Sequence, residues 1–171
     1  KIEIKQFKGD TLALKALLAG ELDSYEGNPG SPMVAASRGA DIKLVGCYWP
    51  GLTYAIYSKP DIKSPAELKG KTFAISAPGA LPDLVARAVL AQNNVPAADV
   101  KFTVMGSDAD RFKAVTAGIV DAAAASSGFA PAAEKAGVKM LVHAIEAVPN
   151  YVRFCIYSSG KTLAARKDDA A

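Results

Sequence analysis

Two stretches decide how this chain is read: Asp10-Thr-Leu-Ala-Leu-Lys-Ala-Leu-Leu-Ala-Gly-Glu-Leu-Asp23 and, 98 positions on, Asp108-Ala-Asp-Arg-Phe-Lys-Ala-Val-Thr-Ala-Gly-Ile-Val-Asp121. The same ungapped offset runs over 39 residues and adds Gly30 with Gly128, Ala35 with Ala133 and Gly39 with Gly137. Nine identities result, where chance would give about two or three. Apolar positions agree as well: Ile2 with Val100, Ile4 with Phe102, Leu14 with Phe112, Leu17 with Val115. The chain contains two related modules.

Each module reads as strand, helix, strand, helix, strand. In the first, Lys1 to Phe7 alternates as a half-buried strand does. Asp10 is placed to cap a helix with the stripe Leu14, Leu17 and Leu18, and Gly20 to end it. Leu22 to Glu26 is a short strand. Ser31-Pro32 caps a second helix that Gly39 ends, and Ile42 to Gly46 is the next strand. The second module repeats this with strand 100–105, cap Asp108, stop Gly118, strand 120–125, helix 130–136, stop Gly137 and strand 138–142. Strands alternating with helices predict parallel sheets with right-handed crossovers. An extra strand, Lys71 to Ser76, and helix, Leu81 to Gln92, stand before the second module. Their counterpart falls upstream of Lys1, so a strand and helix of roughly 25–30 residues are expected there. A chain cut short at both ends is the reading, since Lys161 to Ala171 starts as a helix and stops. A gap left in the first sheet would invite a homodimer by strand exchange.

Thr53 to Ser58 and Tyr151 to Ser158 read as strands that join the two lobes, with joints at Ser58-Lys59-Pro60 and Val148-Pro149-Asn150. The lobes are expected to be residues 1–58 with 151–171, and 59–150.

Composition excludes several classes of function. With 22% charged residues and a net charge of +3, the chain is ordinary globular material. No run of Lys or Arg exceeds two residues, which gives no nucleic-acid footprint. Residues 115–133 are Ala- and Gly-rich and interrupted by Asp121 and Pro131, unlike a membrane span. Cys47, Cys155 and the single His143 do not make a metal site, and no cofactor is called for. The cysteines read as buried free thiols, with a long-range disulfide as the alternative. No Gly-x-Ser-x-Gly elbow is present, neither Cys has a nearby His, and His143 has no carboxylate or nucleophile at motif spacing. An enzyme is not expected. Asp110-Arg111 reads as an ordinary surface pair opening a helix.

In open α/β sheets, ligands bind at the carboxyl ends of the strands, where helix starts present backbone N–H groups. Those ends are small and flexible here: Gly27-Asn28-Pro29-Gly30-Ser31, Ser76-Ala77-Pro78-Gly79-Ala80, Gly106-Ser107 and Ser126-Ser127-Gly128. They let a ligand approach the backbone and favour an anionic group. Turn and capping roles are the alternative for each. Trp49, after a strand end and before Pro50, is placed either to line the ligand site and stack on an organic solute or to pack the hinge.

The segments Ala19-Gly-Glu-Leu-Asp23, Arg38-Gly-Ala-Asp-Ile42, Ser64-Pro-Ala-Glu-Leu-Lys-Gly-Lys71 and Ala117-Gly-Ile-Val-Asp121 resemble extracytoplasmic solute-binding proteins of ABC importers, of the nitrate/sulfonate/taurine branch. The resemblance implies a two-lobed periplasmic-binding-protein fold of type II, each lobe a mainly parallel sheet flanked by helices. It implies a periplasmic or extracytoplasmic protein, lipid-anchored in a Gram-positive cell. Such a protein delivers a small organic or anionic solute to ABC permease subunits. Site residues would come from Asn28, Pro29 and Ser31, from Ser76, Gly79, Ala80 and Leu81, and from Ser126, Ser127 and Phe129. Where many relatives carry Trp-x-Pro, this chain has Gly128-Phe-Ala-Pro131. A ligand-sensing domain of a transcription regulator and a pyrimidine-precursor synthase share the design and are the competing readings.

Overall fold

The computed structural model describes residues 2–169; Lys1, Ala170 and Ala171, expected in the first strand and the last helix, lie outside them. Two compact units form, Lys1–Pro50 with Val152–Ala171, and Gly51–Tyr151.

The sequence repeat is a structural repeat. Helix α1 (Asp10–Leu18) of unit 1 matches α4 (Asp108–Thr116) of unit 2 at the offset of 98, and β1 (Ser24–Gly27) matches β6 (Ala122–Ser126). Likewise α2 (Gly30–Ser37) corresponds to α5 (Ala130–Lys135), and β2 (Lys43–Pro50) to β7 (Lys139–His143). Gly20 and Gly118 end their helices with φ of 78° and 72°, a backbone that side chains resist. Unit 2 adds β4 (Thr72–Ile75), α3 (Leu81–Gln92), β5 (Lys101–Val104) and the short α6 (Ala144–Ala147).

One strand in each sheet comes from a crossing segment and runs against its neighbours. In unit 2, β3 (Tyr54–Ser58) lies between β6 and β7 in the order β5-β4-β6-β3-β7. In unit 1, β8 (Val152–Ser158) lies between β1 and β2. The pairs Ser24↔Ser158 and Ala122↔Ser58 show the matching register. Direct parallel pairing joins β4 to β5 and to β6.

The structure corrects three expectations. Tyr54–Ser58 belongs to unit 2, because it bonds β6 and β7, so the division falls after residue 50 rather than residue 58. Residues 2–7 form no strand, and Ile2 and Ile4 are exposed. An alternating pattern makes a strand only when a neighbour supplies the ladder, and none lies beside this segment among the described residues. Cys47 and Cys155 form a disulfide instead of two free thiols. They are directly opposed on β2 and β8, a proximity that 108 intervening positions hide from the sequence.

Unit 2 has apolar packing on both sheet faces. Ile56, Phe73 and Ile75 meet Leu81, Val85 and Val89 of α3 on one face. Tyr57, Ala123 and Ala125 meet Phe112 and Val115 of α4 on the other. That is why β6 reads Ala-Ala-Ala-Ala: helices press on both sides and leave no room for larger side chains. Unit 1 has one such core, with Leu14 and Leu17 of α1 against Tyr25, Cys155 and Tyr157. The opposite face of its sheet leaves Glu26 and Ile156 exposed.

At the amino end of β6, Asp121 ties the sheet to the crossing segment. Its carboxylate accepts from Thr72 N–H and Oγ1–H at 2.8 Å each and from Lys59 Nζ at 2.9 Å. Burial pushes this carboxyl up, but the Thr72 and Lys59 hydrogen bonds outweigh it and bring it down to about 2. A depressed carboxyl contributes stability above its unfolded value and loses it as pH falls through its folded one. Acid melting between about pH 4 and pH 2 should therefore lose stability at Asp121, and Asp121→Asn should flatten that part of the profile. Replacing both cysteines by alanine should cost about 2–5 kcal/mol in chemical denaturation, with unit 1 unfolding first. A denaturation curve unchanged by reductant would show that the bond contributes nothing.

Candidate ligand-binding site

In unit 2, β4 lies between β5 and β6 in parallel, with Ile75 opposite Val104. The segments that follow, Ser76–Leu81, Gly106–Ser107 and Ser126–Phe129, therefore emerge at one edge of the sheet. There α4 begins with a buried network. The Asp108 carboxylate accepts from Ser126 N–H at 3.1 Å and from the Tyr54 hydroxyl at 2.5 Å. Arg111, 1% exposed, pairs with Asp108 and donates to the carbonyls of Ala124 at 2.8 Å and Gly106 at 2.6 Å. Arg111 is no surface residue, contrary to expectation: its guanidinium fastens the ends of β5 and β6 to α4. The Tyr57 hydroxyl donates to Ser126 C=O at 2.9 Å. Burial, with the nearby Asp108 charge, pushes the phenol up to about 12.

Unit 1 repeats this wiring at the carboxyl end of β1. Asp10 accepts from Asn28 N–H at 3.3 Å, as Asp108 does from Ser126. Asn28 Oδ1 accepts from Gly30 N–H at 3.2 Å, and Ser126 Oγ from Gly128 N–H at 3.3 Å. Each of these four residues sits 98 positions from its equivalent. Tyr157, the counterpart of Tyr57, is pushed up to about 12 by burial and the Asp10 charge.

These bonds change what the loops can offer. Asp10 is the first residue of α1 rather than its cap, and Ser107 rather than Asp108 caps α4, in a box with Asp110. The Gly79 N–H is taken by buried Asp83 at 2.8 Å, which also pairs with Arg87. Carboxylates of the protein thus serve the starts of α3 and α4, where free N–H groups for an anion were expected.

The expected site residues divide between the units. Asn28, Pro29, Ser31 and Trp49 gather in unit 1: Gly27 and Cys47 both oppose Cys155, and Trp49 opposes Phe154 one position beyond. Ser76, Gly79, Ala80, Leu81, Ser126, Ser127 and Phe129 share the edge in unit 2. Leu81 packs into the core, and Phe129 stacks on Phe112 with centroids 4.7 Å apart, so both support the edge from below. Ser76 and Ser127 are partly exposed there. Asp83, Asp108 and Arg111 escaped sequence reasoning as parts of this edge. The alignment of Asp10 with Asp108 was their one visible signal.

The chain belongs to the NMT1/THI5-like family, whose profile matches residues 1–171. No curated protein matches it. It is similar to the alkanesulfonate-binding protein SsuA of Xanthomonas axonopodis pv. citri, solved with MOPS, at 25% identity and a TM-score of 0.83, over 95% of this chain and 56% of that one. The ligand-binding component of an ABC-type import system from Staphylococcus aureus, solved with zinc, is 19% identical with a TM-score of 0.82, over 99% of this chain and 59% of that one. The periplasmic aliphatic sulphonate-binding protein SsuA of Escherichia coli is 24% identical with a TM-score of 0.75, over 95% and 56%. The fold is that of periplasmic binding proteins, and the chain spans little more than half the length of these relatives. No helix among the described residues is long and apolar enough to cross a membrane.

Replacing Arg111 by Met should cost about 3–5 kcal/mol in urea unfolding, because Asp108 then keeps its charge without the guanidinium. Tyr54→Phe should cost about 1 kcal/mol. A loss below 1 kcal/mol for Arg111→Met would show that the network does not hold the edge.

Proposed function

We propose that the chain is the main part of a solute-binding component of an ABC importer, which captures a small organic or anionic solute and hands it to the permease. Membership of the NMT1/THI5-like family along the whole chain carries this reading. The strand ends carry the proposed groups: Asn28, Pro29, Ser31 and Trp49 in unit 1, and Ser76, Ser126 and Ser127 in unit 2, where Gly79, Ala80, Leu81 and Phe129 shape the edge that holds them. Ser126 Oγ, already an acceptor from Gly128 N–H, keeps its own proton to donate, and Ser76 and Ser127 offer hydroxyls. The disulfide supports an extracytoplasmic location, since such bonds persist in oxidising compartments. Because β1 is an edge strand, pairing of two copies through it belongs to the same proposal, and sedimentation equilibrium giving only monomer would remove that part.

The test is calorimetry with a panel of small anions: nitrate, taurine, propanesulfonate and benzenesulfonate. At least one should bind, and Ser76→Ala with Ser127→Ala should weaken it about tenfold while the melting temperature stays unchanged. An affinity indifferent to both changes would remove the unit 2 edge from the site.

A further inference from the structure

We propose that Tyr57 is a positioning residue of the solute site: its hydroxyl sets the peptide that joins Ser126 to Ser127, and through it the hydroxyls of both serines. This rests on the solute-binding reading and deepens it. Tyr57 lies wholly buried on β3. Its hydroxyl donates to Ser126 C=O at 2.9 Å, while from the same peptide Ser127 N–H donates to Thr53 C=O at 3.0 Å. A planar peptide bonded through both of its polar groups is fixed in orientation. The two serine side chains that flank it are fixed with it.

The neighbouring groups are held as well. Ser126 N–H goes to Asp108, Ser126 Oγ accepts from Gly128 N–H, and Ser127 C=O accepts from Ala130 N–H. All four backbone polar groups of the two serines are thereby used within unit 2. Their hydroxyls remain for a solute, as neutral donors suited to acceptor oxygens. The Tyr57 ring supports the far end of the same turn. It meets Phe112 edge-on at 5.3 Å, and Phe112 stacks on Phe129, the last residue of the turn that Ser127 opens.

The repeat separates the role of the hydroxyl from that of the ring. Tyr157 holds the equivalent register position in unit 1, is also buried, and stacks on Tyr25 at 5.3 Å. Its hydroxyl has no hydrogen-bond partner among the described residues. Ring packing at this position therefore does not require a bonded hydroxyl, and the bond to Ser126 is an addition made in unit 2. Burial and the Asp108 charge push the Tyr57 phenol up to about 12, so it remains a donor at neutral pH.

Nitrate, taurine, propanesulfonate and benzenesulfonate are each titrated by calorimetry into four proteins. These are the wild type, Tyr57→Phe, Ser126→Ala with Ser127→Ala, and all three changes together. Tyr57→Phe keeps the ring and should weaken the tightest-binding anion about fivefold. Without the two serine hydroxyls, the same change should alter affinity less than about twofold, because Tyr57 acts only through them. In the wild type without solute, exchange of the Ser127 amide should be slowed at least about a hundredfold relative to an open chain. Equal weakening with and without the serines shows a merely structural role and overturns the proposal. A Ser127 amide that exchanges freely overturns it too, even where a variant fails to fold. Binding that Tyr57→Phe leaves unchanged removes Tyr57 while the solute-binding reading survives. Failure of all four anions sinks both.

Discussion

The organisation of both units depends on one hydrogen bond made twice: an aspartate at the start of a helix accepts the N–H of the residue that leaves the neighbouring strand. Asp10 holds Asn28 and Asp108 holds Ser126. The acceptor is a carboxylate in both units, and a charged acceptor makes the bond stronger than a neutral one. Once it forms, the helix start, the strand end and the turn that follows are fixed together. Asn28 and Ser126 then complete the turn by accepting from the N–H two residues on. The strand-end loops are therefore held in place by the protein's own hydrogen bonds.

From that shared plan the two units diverge. Where unit 2 has Arg111 beside its aspartate, unit 1 has Ala13; where unit 2 has Tyr54, unit 1 has Phe154. The guanidinium lets unit 2 bury charge at its edge, because each of its three nitrogens meets a carbonyl or a carboxylate. Its exposed remainder is small and hydroxylic. Among the described residues, unit 1 has its apolar core on one face of the sheet. One repeated module thus carries different side chains at equivalent positions.

The disulfide belongs to the same scheme. It joins β2 and β8, the strands by which the chain leaves unit 1 and returns to it. The crossing strands β3 and β8 do in their sheets what local patterning cannot foresee. Each is inserted between two strands that are neighbours in the sequence repeat, and each runs the other way.

The sequence by itself determined the repeat, the type of most elements and the helix over Leu81–Gln92, because these depend on periodicity, glycine stops and prolines within a few residues of one another. It also pointed to the strand-end loops, since Gly, Ser and Asn cluster there. Tertiary structure alone decided the rest. Ile2–Phe7 has the alternation of a strand but no neighbour to pair with, and Tyr54–Ser58 changes unit because its ladder partners lie 60 or more positions away. Arg111 looks like a surface residue until the carbonyls of Gly106 and Ala124 converge on it, and Cys47 meets Cys155 only across a ladder. Local pattern is set by the few neighbouring side chains, whereas charge burial and pairing are set by groups the fold brings from far along the chain.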